Sequence, residues 1–160
     1  MYLDAMEFLE EEHEAWAPYE ALAGLTDAQL ETPVAAAHGW SGRDLMGHML
    51  AWQGLSLEVA KELAVNETSQ AIDRSKVDWD TRGGEVVNAE IQAEWGSLSM
   101  ADLRERFRTQ PGELRGYLTV VPEARWVKNP AHIEHFDAQT IDHYGEHLDD
   151  LHAVLAAAGS

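Results

Sequence analysis

Apolar side chains return every three or four positions along most of this chain, the period of an amphipathic helix, and no segment alternates convincingly as a strand does. Leu3, Met6, Trp16, Tyr19, Leu22 and Ala23 form one such stripe, with acidic residues between them for a solvent face. This first helix is expected to end near Gly24, and Pro18 to kink or break it. Residues 26–40 read as a connection, punctuated by Pro33 and Gly39. Ser41, followed three residues on by Asp44, has the form of a capping box and predicts a second helix over residues 42–65. Its inward stripe is Leu45, His48/Met49, Trp52, Leu55, Val59 and Leu63.

Residues 66–84 are polar and irregular and are expected to form a long loop, with Gly83-Gly84 as a turn. A short helix follows over 85–95. Ser99 with Asp102 then starts a helix over 100–120 that Pro111-Gly112 should kink or split. Pro122 and Pro130 bracket another connection. The last helix is expected over 137–158, with Ile141, Tyr144, Leu148, Leu151 and Leu155 on its core stripe. Together these elements predict an all-α four-helix bundle with long inter-helix loops, one domain over residues 1–160.

Charge narrows the possible partners. There are 29 acidic and 11 basic residues, a formal net charge of −18. Such a field repels phosphate backbones and anionic bilayers and concentrates divalent cations, so neither a nucleic-acid nor a membrane partner is expected. No apolar run approaches the roughly 20 residues needed to span a bilayer. The N-terminus has no basic segment ahead of an apolar one, so no signal peptide is read there. The expectation is a cytoplasmic protein. Cysteine is absent, which removes disulfides, thiolate ligands and a cysteine nucleophile.

Eight histidines carry the candidate chemistry. His143 and His147 are four residues apart, which places both imidazoles on one face of a helix. Alone, such a pair reads more simply as one exposed ring and one locally bonded ring than as two metal ligands. His48 changes the weighing because it falls on an otherwise apolar stripe. A buried imidazole must satisfy two nitrogens. It does so either by ligating a metal through one and donating the other, or by bonding a neighbouring helix. Three neutral imidazoles from two helices would leave open coordination positions, as catalytic zinc requires. His132 and His135 precede the last helix and read either as solvated loop residues or as the mouth of a cleft. His38 borders Trp40 and lies beside the same region. His13 falls within an acidic run at Glu10–Glu14 that reads as solvent-facing, and His152 lies off the His143/His147 face. Trp16, Trp40, Trp52 and Trp95 read as core or cleft wall. Trp79 and Trp126, in loop-like segments, are the better candidates for touching a ligand. Asp142 and Glu146 flank the histidine pair as outer face or as acceptors for it. No phosphate loop, nucleophile elbow or His-Glu-x-x-His motif is present.

The run Gly39-Trp40-Ser41-x-Arg43-Asp44-Leu45-x-x-His48-x-x-x-Trp52, with the late Asp142-His143-Tyr144-Gly145-Glu146-His147, resembles the signature of the DinB/YfiT-like superfamily. That superfamily includes the metal-binding domain of mycothiol-dependent maleylpyruvate isomerase, bacillithiol transferases and the ClbS/DfsB group. The resemblance implies a four-helix bundle holding a divalent metal, commonly zinc or nickel, on His48, His143 and His147. It also implies a homodimer acting on a small-molecule substrate. The metal would activate an exogenous low-molecular-weight thiol or a water for attack on a small electrophile, beside a pocket lined by Trp40, Trp52, His38, His132, His135 and Tyr144. A ClbS-like metal hydrolase and a non-catalytic metal-binding stress protein are the alternatives. The isomerase carries a further C-terminal domain. Within 160 residues, substrate choice is expected to fall to residues 66–84 and 122–135 or to a dimer partner.

Overall fold

The computed structural model describes residues 1–159, and every regular element among them is helical. Helix α1, Ala5–Trp16, starts at Asp4, whose side chain accepts from the Glu7 N–H. Its regular turns end one residue before Ala17-Pro18, and the chain continues as a 3₁₀ segment over Ala17–Gly24. The break follows from proline, which has no N–H to give the preceding turn. A short helix α2, Asp27–Glu31, lies in the following connection under a Thr26/Gln29 capping box.

The central element is α3, Gly42–Val65. Its start is the predicted capping box: Ser41 accepts from the Asp44 N–H at 3.1 Å, and the Asp44 carboxylate accepts from the Ser41 N–H at 2.9 Å. Residues 66–84 are not a loop. They contain α4, Gln70–Arg82, followed by α5, Gly84–Gly96. The start of α4 is closed by side chains rather than by a strong apolar period. Ser69 accepts from the Ile72 N–H, and the carboxylate of Glu62, reaching over from α3, accepts from the N–H groups of Gln70 and Ala71. Only Ala71 and Ile72 of α4 are buried, and no residue of α5 is, which explains the weak hydrophobic signal.

Helix α6, Met100–Val120, runs on through Pro111, so of the expected kink or split the split does not occur. Leu103, Phe107, Leu114 and Leu118, buried on both sides of the proline, hold it to the bundle. The last expected helix is three: α7, Pro130–Gln139, α8, Ile141–Glu146, and α9, Leu148–Ala158. It starts earlier than predicted because Asn129 caps α7 and Pro130 fits its first turn. It breaks at Thr140, whose backbone leaves helical geometry at φ −121°, ψ −94°, and again at His147, just after the Tyr144 carbonyl that the Tyr19 hydroxyl takes at 2.6 Å.

Helix α3 packs against α4, α5, α6, α7 and α9, while α1 closes the bundle against α6 and α8. One apolar cluster gathers around Phe8, Leu63, Trp126 and Phe136, a second around Trp16, Tyr19, Leu45 and Met49. Bridging the main helices is a buried polar network. Tyr144 donates to Glu12 (2.9 Å) and accepts from Gln53 (2.9 Å); Gln53 accepts from Gln110 (3.1 Å); and Arg115 donates to Glu12 (2.6 Å). This corrects two expectations. Glu12 is wholly buried, not part of a solvent face, and Trp126 is wholly buried against Phe8 and Phe136 instead of facing a ligand.

Candidate metal centre

His48 lies two turns into α3 from its cap, and His143 and His147 stand at the middle and end of α8. The fold brings all three together, with ligand nitrogens all within 4.8 Å of one another. His48 Nε2 and His143 Nε2 are 3.0 Å apart. Two nitrogens bound to one ion at zinc-like bond lengths would be separated by about 3.0–3.4 Å. His48 and His143 are 4% and 8% exposed. Burial, reinforced by the neighbouring imidazoles, holds both rings neutral: His48 is pushed down to about 4 and His143 to about 3.

The cluster fits a divalent cation on two further observations. A hydrogen bond between His48 and His143 has one proton for two facing lone pairs, whereas a cation satisfies both. His147 is already oriented from behind. Its Nδ1 lies 2.9 Å from Asp150 Oδ2, and since a carboxylate only accepts, Nδ1 carries a proton, so that in the neutral ring the lone pair is on Nε2. The Nδ1 atoms of His48 and His143 are buried and meet no protein acceptor.

The run Gly39–Trp52 around His48 resolves into separate tasks. Trp40 lies nearly parallel to His147, with centroids 5.7 Å apart and planes 17° off, and 4.8 Å from His48. Ser41 and Asp44 start the helix. Arg43 donates to the carbonyls of Gly96 and Leu98, fixing the turn after α5. Trp52, one turn beyond His48, donates its indole N–H to Asn88 at 3.2 Å and meets Trp79 edge-on at 5.6 Å.

The three histidines open into a cavity of about 650 Å³ between α3, α4 and α7, walled by Trp40, Trp52, Trp79 and Ile72. Its mouth carries Lys76, Asp80, Glu134 and Glu146. His135 lines it too, with an imidazole that burial pushes down to about 4. Trp79 reaches the cavity because residue 84 is glycine. A Cβ there would lie 2.6 Å from the indole.

The structure separates the other sequence candidates. His132 is helical and bonds the Arg125 carbonyl at 2.5 Å, outside the cavity lining. Tyr144 faces away from the cavity, wholly buried in the polar network. His38 does not line the cavity either. It bonds Asp150 Oδ1 at 3.0 Å. Asp142 and Glu146 are exposed, and the carboxylate that accepts from His147 is Asp150, while His143 Nδ1 has no such partner. The signal for Asp150 was its i, i+3 spacing from His147.

Residues 9–140 match the family described as the mycothiol maleylpyruvate isomerase N-terminal domain. The chain belongs to that family. The family is part of the DinB-like superfamily, and its match contains His48 but stops short of His143 and His147. The role of α8 within this DinB-like chain therefore rests on its own geometry. No curated protein and no solved structure matches. No helix among the described residues is long and apolar enough to cross a membrane.

Proposed function

We propose that this DinB-like chain is a divalent-metal-dependent enzyme that joins a low-molecular-weight thiol to a small electrophile. The observation that carries the reading is the cluster of His48, His143 and His147 at the base of an open cavity large enough for a small molecule. The family description, which names mycothiol, supports a thiol as the nucleophile. With no cysteine in the sequence, the sulfur of that nucleophile comes from solution. When bound, a zinc or nickel ion supplies Lewis acidity, lowering the pKa of a thiol or water in its open positions.

The chain's own residues do the rest. His48 and His143 offer neutral nitrogens because burial keeps protons off them. Asp150 fixes the tautomer of His147. Trp40 covers the cluster from one side, and Trp52 and Trp79 give an apolar wall against which an electrophile is held. The alternative, a hydrolase using water in the same positions, draws support from the cavity's opening to solvent.

Cobalt(II) loading separates the two. Adding N-acetylcysteine to the cobalt protein should produce a thiolate-to-metal charge-transfer band that the His143→Ala/His147→Ala variant lacks. A spectrum insensitive to thiol but responsive to azide would contradict the transferase reading and favour the hydrolase.

A further inference from the structure

The backbone from Val34 to Trp40 is closed on itself. The Val34 N–H donates to Trp40 O at 2.9 Å, and Val34 O accepts from Ala37 and Gly39, each at 3.0 Å. At its apex His38 sits at φ 59°, ψ 24°, and it is the one non-glycine residue with positive φ among those described. That left-handed conformation costs an L-residue roughly 1–2 kcal/mol. The strained position is occupied by a side chain that is 83% exposed, so packing does not account for the choice of histidine.

What the conformation achieves is a contact. His38 Nδ1 lies 3.0 Å from Asp150 Oδ1, while Asp150 Oδ2 lies 2.9 Å from His147 Nδ1. One carboxylate, 6% exposed, therefore accepts from two imidazoles, one at the surface and one in the metal cluster. The same loop carries Trp40, which lies over the face of His147.

We propose that His38 is a positioning residue for the metal centre. Its Nδ1–H pins Asp150, and Asp150 in turn holds His147 in the tautomer and ring plane that present Nε2 to the cluster. The consequence for metal binding rests on the reading of the three histidines as ligands. The positioning itself is a property of the metal-free chain.

Three substitutions separate the side chain from the backbone, because asparagine, aspartate and glycine all tolerate positive φ. His38→Asn keeps a donor close to the Nδ1 position. His38→Gly relieves the backbone but removes the donor, and His38→Asp sets a second carboxylate against Asp150. Zinc affinity is read by chelator competition. The Asn variant should match the parent. The Gly variant should bind about two- to fivefold more weakly, the range of one exposed charged hydrogen bond, and the Asp variant more weakly still. In the metal-free proteins, nitrogen NMR of His147 should show the Nδ1–H tautomer in the parent and the Asn variant, and a mixture of tautomers in the other two. The same tautomer in all four proteins, or tighter zinc binding by the Gly variant, overturns the proposal. A chain that takes up no zinc yet shows the predicted tautomer order overturns the metal reading alone.

Discussion

Each imidazole in the cluster differs in what stands behind it. His147 has a carboxylate at Nδ1, whereas His48 and His143 have only buried, unpartnered nitrogens there. The orientation of His147 is therefore the part that one substitution can remove. Asp150→Asn replaces an acceptor-only group with an amide of the same shape, and zinc affinity should fall about 10–100-fold, the usual cost of losing such a partner. Unchanged affinity in a chelator competition would contradict this role. Tyr144 makes the opposite case. It stands between the two ligand candidates in sequence yet serves the core, where its hydroxyl satisfies both Glu12 and Gln53. Tyr144→Phe leaves the buried Glu12 and Gln53 each one hydrogen bond short and should lower unfolding free energy by about 1–3 kcal/mol, measured by denaturant titration, with metal content unaltered. Residue by residue, His48 was legible because a histidine on an apolar stripe is conspicuous. Glu12 was not, because its neighbours Glu10, Glu11 and Glu14 are solvent-facing and its partner Arg115 is distant in sequence. Nothing in the spacing distinguishes a buried carboxylate from an exposed one until the partner is known.

Among the elements, α3 and its cap were readable because Ser41 and Asp44 act locally and the stripe beyond them is strong. Helix α4 was hidden because its N-terminus is completed by Glu62 from another helix and its length is mostly solvated. The break at His147 was hidden for a related reason: Tyr19, far away in sequence, takes the Tyr144 carbonyl. The cavity wall depends on such an unread element. Gly84 lets α5 begin against the Trp79 indole, where an added Cβ would lie 2.6 Å from the ring. Gly84→Ala should push Trp79 away from Trp52, change the near-ultraviolet dichroism of that pair, and cost about 1–3 kcal/mol. Gly112→Ala is the control. Its Cβ would meet nothing within 4 Å in the interior of α6, so it should stabilise the protein by roughly 0.5–1 kcal/mol. Equal effects of the two substitutions would contradict the assignment of the wall.

Over the whole molecule, two buried imidazoles and a half-buried one in an acidic chain set the response to pH. His48, His135 and His143 are all held below the 6.5 of a free histidine, chiefly by burial. As pH falls, the unfolded chain takes up these protons first. The metal-free protein should therefore keep its full stability above about pH 7, where both states are neutral. Stability should then decline from 6.5 towards about 3–4, by roughly 1 kcal/mol per pH unit for each of these histidines. Zinc should move the onset of that decline to lower pH, because protons must then displace the ion. Denaturant midpoints measured across this range, with and without chelator, check both statements, and a flat metal-free profile would contradict them.

The account turns on His48, His143 and His147 forming one divalent-metal site. Its most direct test is elemental analysis of protein purified without a nickel column, comparing the parent chain with His143→Ala/His147→Ala. The parent should carry about one equivalent of a first-row divalent metal per chain, as a single three-nitrogen site requires, and the variant should carry almost none. Equal metal content in the two proteins would contradict the account.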